Sequence, residues 1–218
     1  MKPIVLDAPN LQVVLSALRD EKTSTTQFRR NLRLAGYLAT HEIVTLECST
    51  KPTSIKTPMA KASGAELKEN ILQVMVMRAG EPFTEGGARL LDELNSSRTI
   101  GVVDARRMEE SQEGMTFGVD ISSFKVPKFN KDAVVIVYDP MLATGSTILA
   151  ILDRIKKKGK PKKIIFCCVI AASYGIKRLE KHFPDVQVYT LAIDQKLDKR
   201  GYIIPGLGDC GDRAFGGL

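Results

Sequence analysis

Residues 134–147 read VVIVYDPMLATGST, and the rest of the fold can be worked out from this stretch. Its first five residues are apolar or aromatic, which predicts a strand buried on both faces. Asp139 and Pro140 follow, and a run of small and hydroxyl residues then leads into an apolar helical pattern. Peptide N–H groups at the start of a helix can face an anion, and the helix dipole favours its negative charge. The stretch therefore predicts a phosphate-binding loop between a strand and a helix.

The residues of the turn suit this role individually. Gly145 lets the backbone approach a phosphate closely, and the hydroxyls of Thr144, Ser146 and Thr147 add donors. The alternative is an ordinary strand-to-helix turn with a good N-cap, which a TGST sequence alone would not exclude. A nucleotide-binding P-loop is excluded, because the spacing G-x-x-x-x-G-K-[ST] is absent.

Length and composition place the chain among globular proteins. Its 218 residues, 44% hydrophobic and 26% charged, fit a single domain over 1–218. No apolar run approaches the roughly 18 residues that span a bilayer, and the first ten residues lack a signal-peptide core, so we expect no membrane partner. The four cysteines include no C-x-x-C, and the adjacent Cys167 and Cys168 would point to opposite faces of a strand. These features favour a reduced, cytoplasmic setting.

The net charge of +7 suggests anionic partners. Six lysines fall within residues 156–163, at the end of the helix that follows the loop. Cations suit a helix C-terminus, and a nucleic-acid patch would interleave aromatic residues or more arginine. We therefore expect a solvated helix end and no nucleic-acid partner.

Strand and helix patterns alternate along the chain, which predicts an α/β protein with a doubly wound, mostly parallel sheet. The predicted strands are 71–77, 99–104, 133–138, 164–171 and 186–191, and the predicted helices are 11–19, 25–47, 85–94 and 174–182. A β-hairpin arm is predicted at about 107–126, residues 51–62 are interpreted as loop or edge strand because of their prolines, and the glycine-rich end is predicted to form neither helix nor sheet.

Charged residues follow three of these strands directly. Ligands of such sheets bind at the carboxyl ends of the strands, which is where Arg78, Arg107 and Asp139 are expected. Arginine binds phosphate oxygens bidentately, and peptide groups at Ala79 and Gly80 can face the same ligand. Arg78 is therefore a candidate pyrophosphate clamp.

The phosphate loop resembles that of the type I phosphoribosyltransferases, in which apolar residues, an acid and T-G-x-T occur in this order. The form DPMLATG is similar to that of the uracil phosphoribosyltransferases. A second segment, residues 202–213 (YIIPGLGDCGDR), resembles the uracil-binding segment of the same family. The resemblance covers the chain from about residue 28. It implies a type I phosphoribosyltransferase fold with a C-terminal base-binding loop at about 193–218.

The resemblance implies the conversion of uracil and phosphoribosyl pyrophosphate into uridine monophosphate and pyrophosphate, in pyrimidine salvage. It assigns catalytic roles to Arg78, Arg107, Asp139 and Asp209, all four of which would contact phosphoribosyl pyrophosphate. The loop residues that it assigns to the same ligand are Pro140, Met141, Leu142, Ala143, Thr144, Gly145, Ser146 and Thr147. Mg²⁺ is the implied cofactor, held through pyrophosphate and water, with Asp209 as the candidate protein contact.

Ile203, Gly208, Asp209 and Cys210 are the residues that the resemblance assigns to uracil. The imide edge of uracil presents an acceptor, a donor and an acceptor, which peptide groups of a folded glycine loop can match. Cytosine would leave two such groups unpaired, a mismatch that can cost about 10⁴-fold or more in discrimination. Cys210 stands where the family has alanine, and Glu81 stands where it has leucine.

Arg29, Arg30 and Arg33 are spaced so that they can share one face of a helix. They form either a solvated stripe or an anion site, and by resemblance the FRRNL stretch is a candidate contact for GTP as an effector. The resemblance also implies a homodimer or higher homo-oligomer. Two alternatives for the whole chain are a non-catalytic, nucleotide-sensing regulator on the same fold and a related transferase for another base, such as xanthine or orotate.

Overall fold

The computed structural model describes residues 2–112 and 115–217, and of residues 109–112 it describes the backbone only. In chain order the elements are β1 (Ile4–Val5), α1 (Pro9–Arg19), α2 (Thr25–Glu47), β2 (Thr50–Lys56), β3 (Lys61–Leu67), β4 (Ile71–Met77), α3 (Gly80–Glu93), β5 (Arg98–Gln112), β6 (Thr116–Lys125), β7 (Val134–Tyr138), β8 (Met141–Leu142), α4 (Ser146–Lys158), β9 (Lys163–Ala172), α5 (Ser173–His182), β10 (Val186–Asp194), β11 (Lys196–Leu197), β12 (Ile203–Ile204) and α6 (Cys210–Phe215).

The central sheet has the strand order β1-β10-β9-β7-β4-β5-β6, and β8 pairs with the end of β9. Its neighbouring strands are parallel except for the antiparallel pair β5 and β6. Side chains of α1, α2 and α3 form one core cluster with one face of the sheet, and those of α4 and α5 form the other. The doubly wound, mostly parallel fold predicted from the alternating patterns is confirmed.

The strand β7 is buried along its whole length, as its apolar sequence predicted. Cys167 and Cys168 lie in different core clusters, on opposite faces of β9, and both are free thiols. No helix in the described residues is long and apolar enough to cross a bilayer.

The segment 51–62, interpreted as loop or edge strand, lies in an antiparallel hairpin of β2 and β3, separate from the central sheet, in which Pro52 occupies an exposed edge position. Two predictions from local sequence were wrong. The helix α3 begins at Gly80 rather than at residue 85. The glycine-rich end contains β12, which pairs with β11, and α6.

Contacts with the N-terminal helices explain why the C-terminal segment is ordered. The Arg213 guanidinium donates to the carbonyls of Leu18 and Leu207 at 2.5 and 2.7 Å and stacks over Phe28 at 4.3 Å. Leu18 and Phe28 are distant from Arg213 in sequence, so the glycine content of the segment could not indicate these contacts.

The predicted hairpin arm is formed by β5 and β6. The first part of β5, residues 98–104, pairs with β4 in the central sheet, and the same strand continues into the arm. Residues 113 and 114 lie outside the described residues.

Glycines allow α2 and α3 to pack backbone against backbone. A Cβ added at Gly36 would lie 1.9 Å from the carbonyl oxygen of Phe83, and one at Gly86 would lie 1.8 Å from that of Arg33. Each added Cβ would meet a backbone oxygen of the other helix, and that oxygen cannot move without shifting the helix.

We predict that Gly36→Ala destabilises the protein. Alanine is better than glycine in a helix by about 1 kcal/mol, but overpacking against backbone costs typically 1–3 kcal/mol or more, so the clash should dominate. Thermal unfolding measures the change, with Thr26→Ala, at an exposed position of the same helix, as the control. Equal or raised stability of Gly36→Ala would contradict the close packing.

Candidate active site

A cleft of about 650 Å³ opens at the carboxyl ends of β4 and β7 and beside residues 104–107 of β5, within the ~300–1,000 Å³ range of small-molecule sites. The prediction that Arg107 follows the end of a strand is wrong, because β5 continues to Gln112. Most of the residues predicted for the site line this cleft. They are Arg78, Arg107, Asp139, Met141, Leu142, Ala143, Thr144, Gly145, Ser146, Thr147, Ile203 and Asp209. The structure therefore brings together the strand ends, the loop after β7 and the C-terminal segment, which the sequence places far apart.

The loop after β7 is fixed by β9. The Pro140 carbonyl accepts the N–H groups of Val169 and Ile170 at 2.9 and 3.0 Å, so Pro140 is turned to the sheet and does not line the cleft. Gly145 precedes α4 with φ of 81°, a left-handed conformation that favours glycine. The first N–H groups of α4 have no acceptor within the helix, and this end of the helix opens on the cleft.

The hydroxyls of the loop have different surroundings. The Ser146 Oγ accepts the N–H of Phe117 at 3.2 Å, and the Thr144 Oγ1 lies 3.3 Å from the same Ser146 oxygen. The side chains of Thr144 and Ser146 are both buried. The side chain of Thr147 is half-buried on the cleft. Peptide groups and Thr147 are therefore the donors best placed for an anion, and the hydroxyls of Thr144 and Ser146 mainly shape the loop.

Asp139 lies at the floor of the cleft, directly after β7. Burial raises the pKa of its carboxyl to about 7, and the N–H of Met141, which donates to it at 3.2 Å, opposes the shift only in part. A carboxyl with such a pKa changes its charge near neutral pH.

Both candidate pyrophosphate arginines contact the C-terminal segment. The Arg78 guanidinium is half-exposed and lies 3.6 Å from the Asp212 carboxylate of α6. The Arg107 guanidinium donates to the Arg200 carbonyl at 3.0 Å and stacks on Phe117 at 4.3 Å. The contacts with Asp212 and Arg200 could not be predicted, because each joins residues more than 90 positions apart, and the contact with Phe117 depends on the pairing of β5 with β6.

Glu81, the acid beside Arg78, is exposed at the start of α3 and does not line the cleft. A helix N-terminus favours a negative side chain. The departure from the family pattern at this position therefore places no carboxylate in the site.

The turn of the C-terminal segment is held by a partly buried ion pair that sequence reasoning missed. Arg19 binds both carboxylate oxygens of Asp194 at 2.8 and 2.9 Å, and the N–H of Gly206 donates to the same carboxylate at 2.8 Å. A Cβ at Gly206 would lie 2.1 Å from the Ile203 carbonyl oxygen, and Gly206 and Gly208 both have positive φ. Only glycine fits this tight turn without strain.

Gly208 and Cys210 do not line the cleft directly. Cys210 begins α6, and its side chain is fully buried in the core cluster. The Asp209 carboxylate caps α6 by accepting the N–H of Asp212 at 3.0 Å, and it faces the cleft. In the part of the chain that the structure describes, no group of three or more His, Cys, Asp or Glu side chains could hold a metal ion.

Most lysines of residues 156–163 have protein partners. Lys156 pairs with Asp185 at 2.5 Å, Lys157 with Asp153 at 2.6 Å, and Lys162 with Glu69 at 2.8 Å. These pairs favour the interpretation of the run as a solvated helix end.

The three arginines of α2 do not converge on one point. Arg29 donates to the Ala214 carbonyl of α6 at 2.6 Å, Arg33 pairs with Glu85 at 2.5 Å, and Arg30 is exposed. The first of these contacts links this part of α2 to the C-terminal segment.

Comparison with known proteins agrees with this geometry. A family model described as uracil phosphoribosyltransferase matches residues 5–217. The chain is 36% identical to the uracil phosphoribosyltransferase of Pyrococcus furiosus, over 96% of this chain and 88% of that protein. It is 39% identical to that of Metallosphaera sedula, over 99% of this chain and 100% of that protein.

Solved structures show the same fold. A protein from Aquifex aeolicus is 30% identical with a TM-score of 0.89, and the match covers 99% of this chain and 98% of that chain. A hypoxanthine phosphoribosyltransferase from Trypanosoma cruzi is 12% identical with a TM-score of 0.51, over 78% and 76% of the two chains, which is a likeness of fold alone. The resemblance inferred from the two sequence segments is confirmed, and the chain belongs to the uracil phosphoribosyltransferase family.

Proposed function

We propose that the protein transfers the phosphoribosyl group of phosphoribosyl pyrophosphate to uracil, forming uridine monophosphate and pyrophosphate. The observation that carries this proposal is the meeting of the phosphate loop and the C-terminal segment, through Ile203 and Asp209, in one cleft of about 650 Å³. Family membership supports the same reaction. We further propose that residues 1–218 act as one domain, and that the protein works in the cytoplasm, where its four free thiols would stay reduced.

The proposed roles follow the residues that line the cleft, except for Gly208 and Cys210, whose roles rest on the family resemblance. Residues 143–147 bind the 5′-phosphate, and Asp139 accepts hydrogen bonds from the ribose hydroxyls. Arg78 and Arg107 bind the leaving pyrophosphate, and peptide groups of Ile203, Gly208 and Cys210 bind uracil. Displacement at the anomeric carbon develops positive charge on the ribose and negative charge on pyrophosphate, so catalysis rests on positioning and charge stabilisation.

Mg²⁺ is the proposed cofactor. It would neutralise charge on pyrophosphate, and Mg²⁺ usually keeps several waters, so few protein carboxylates are needed. The residues fit this role, because Asp209 presents a carboxylate to the cleft while using one oxygen to cap α6. Asp209 would hold the hydrated ion through water.

An assay of pyrophosphate release from phosphoribosyl pyrophosphate tests the proposed function. Release should depend on both uracil and Mg²⁺. A non-catalytic regulator would bind uridine monophosphate without releasing pyrophosphate, and release with xanthine or orotate in place of uracil would indicate a transferase for another base.

The pKa of Asp139 predicts a pH dependence. The ionised carboxylate accepts from both ribose hydroxyls, whereas the protonated carboxyl loses acceptor capacity. Because burial raises this pKa to about 7, kcat/KM for phosphoribosyl pyrophosphate should rise with pH through about 7, where the free enzyme loses the proton. Asp139→Asn should lower activity and remove this part of the profile, while any titration of the substrate remains. An unchanged profile in Asp139→Asn would contradict the role of Asp139.

GTP is proposed as an effector that binds at Arg29, Arg30 and Arg33. The contact of Arg29 with Ala214 gives such a site a direct connection to the base-binding segment. An effector changes activity only by binding one conformation or assembly better than another. GTP should therefore alter the rate or the oligomer size, and Arg30→Ala should abolish the response at unchanged basal turnover.

Titration of GTP in the uracil assay, alongside light scattering, measures both effects. Lys22→Ala, which removes a neighbouring exposed positive charge, is the control and should respond like the original protein. If GTP changes neither the rate of the uracil reaction nor the oligomer size, the three arginines are an ordinary solvated face of the helix.

We also propose a homodimer or higher homo-oligomer. Large apolar side chains are exposed on the side of α2, α3 and the hairpin of β2 and β3, namely Leu46, Ile55, Met59 and Leu94. A groove of about 310 Å³ lies between these elements. A second copy of the chain would cover this surface, and light scattering without GTP measures the assembly.

A further inference from the structure

Arg178 contacts the phosphate loop from outside the cleft. It lies on α5, and its Nη1 donates to the Thr144 carbonyl at 2.7 Å and to the Ser146 Oγ at 3.1 Å. The residue does not line the cleft itself. It is therefore placed to act on the loop and not on the ligand.

The bond to the Thr144 carbonyl sets the direction of the next peptide group. The peptide that joins Thr144 to Gly145 is planar and trans, so its C=O and N–H point in opposite directions. With the carbonyl turned to Arg178, the Gly145 N–H points away from Arg178. A cation on a carbonyl also polarises the peptide, which strengthens the N–H as a donor.

The bond to Ser146 connects the loop to the hairpin arm. The same Ser146 oxygen accepts the N–H of Phe117 on β6, and the ring of Phe117 lies under the Arg107 guanidinium at 4.3 Å. A hydroxyl has two acceptor sites and one proton to donate, and the partners of this one are Phe117, Arg178 and the Thr144 hydroxyl at 3.3 Å. A connected set of contacts thus runs from Arg178 through Ser146 and Phe117 to Arg107.

We propose that Arg178 is a positioning residue that, with Ser146, holds the phosphate loop in its binding conformation and ties it to the arm that carries Arg107. Arg178 directs the Gly145 N–H to the 5′-phosphate, and Ser146 keeps the pyrophosphate arginine in register with the loop. The assignment rests on residues 143–147 binding the 5′-phosphate, as proposed above.

Arg178→Met tests the loop contact. Misplacing the loop should lower kcat/KM for phosphoribosyl pyrophosphate by on the order of 10- to 100-fold and weaken uridine monophosphate binding by a similar factor. The KM for uracil at saturating phosphoribosyl pyrophosphate should stay unchanged. Arg178→Lys, which can still donate to the Thr144 carbonyl, should restore much of the loss. Lys177→Met removes an exposed charge from the same helix and should behave like the original protein.

Ser146→Ala tests the connection to the arm. It should lower kcat/KM for phosphoribosyl pyrophosphate by a larger factor than it weakens uridine monophosphate binding, because both ligands use the loop but only phosphoribosyl pyrophosphate has a pyrophosphate for Arg107 to bind. This variant and Arg178→Lys carry the test if Arg178→Met does not fold.

Two results would overturn the positioning role. One is a fall in melting temperature of Arg178→Met with both affinities equal to those of Lys177→Met, which would make Arg178 a packing residue. The other is equal activity of Ser146→Ala, Arg178→Lys and the original protein when Arg178→Met does not fold. If instead the original protein fails to bind uridine monophosphate at all, the phosphate-site assignment fails and not the role of Arg178 alone.

Discussion

Uracil should be used at least about 10⁴ times more efficiently than cytosine, when the two are compared as kcat/KM. The proposed site presents peptide N–H, C=O and N–H groups to the imide edge of uracil. Cytosine replaces one carbonyl by an amino group and lacks the proton on the intervening nitrogen, so two buried peptide groups would lose their partners. The turn cannot relax to suit cytosine, because the Arg19–Asp194 pair and the Gly206 N–H fix it from behind.

The measurement is uracil- or cytosine-dependent release of pyrophosphate at saturating phosphoribosyl pyrophosphate. Hypoxanthine, a larger base, is the second comparison. Comparable turnover of cytosine or hypoxanthine would overturn the assignment of residues 203–210 as the base loop.

Arg107→Ala should lower kcat/KM for phosphoribosyl pyrophosphate by about 10²-fold or more, the scale of losing one charge-stabilising donor. The Arg107 guanidinium lines the cleft and is held by Phe117 and the Arg200 carbonyl. It is thus pre-positioned where the negative charge of the leaving group develops.

Uridine monophosphate, which lacks the pyrophosphate, should bind Arg107→Ala nearly as before. Arg106→Ala is the matched comparison, since Arg106 is the preceding residue of the same strand and also lines the cleft, and it should cost much less. Equal weakening of both ligands in Arg107→Ala would show that Arg107 supports the structure of the arm.

The parts of the fold that could be predicted are those that depend on the pattern of neighbouring residues. The apolar run of β7 has to be buried, and the helical spacing after Gly145 requires an amphipathic α4, so the phosphate loop follows from nearby residues alone. Because neighbouring strands are parallel, their carboxyl ends meet at one edge, and that brings Arg78 and Asp139 together.

The parts that could not be predicted depend on contacts between distant segments. Arg19 and Asp194 are ordinary charged residues in sequence, and their role appears only when α1 packs against β10. Arg178 has no local signal either, because its partners lie 32 and 34 residues earlier. The order of the glycine-rich end likewise comes from carbonyls of α1 that accept from Arg213.

The most direct test of the central claim is an experimental structure of the protein with uridine monophosphate bound. We expect the 5′-phosphate on the N–H groups of residues 143–147, the ribose hydroxyls at Asp139 and the imide edge of uracil on peptide groups of residues 203–210. A phosphate at the loop with the base directed away from residues 203–210 would contradict the account.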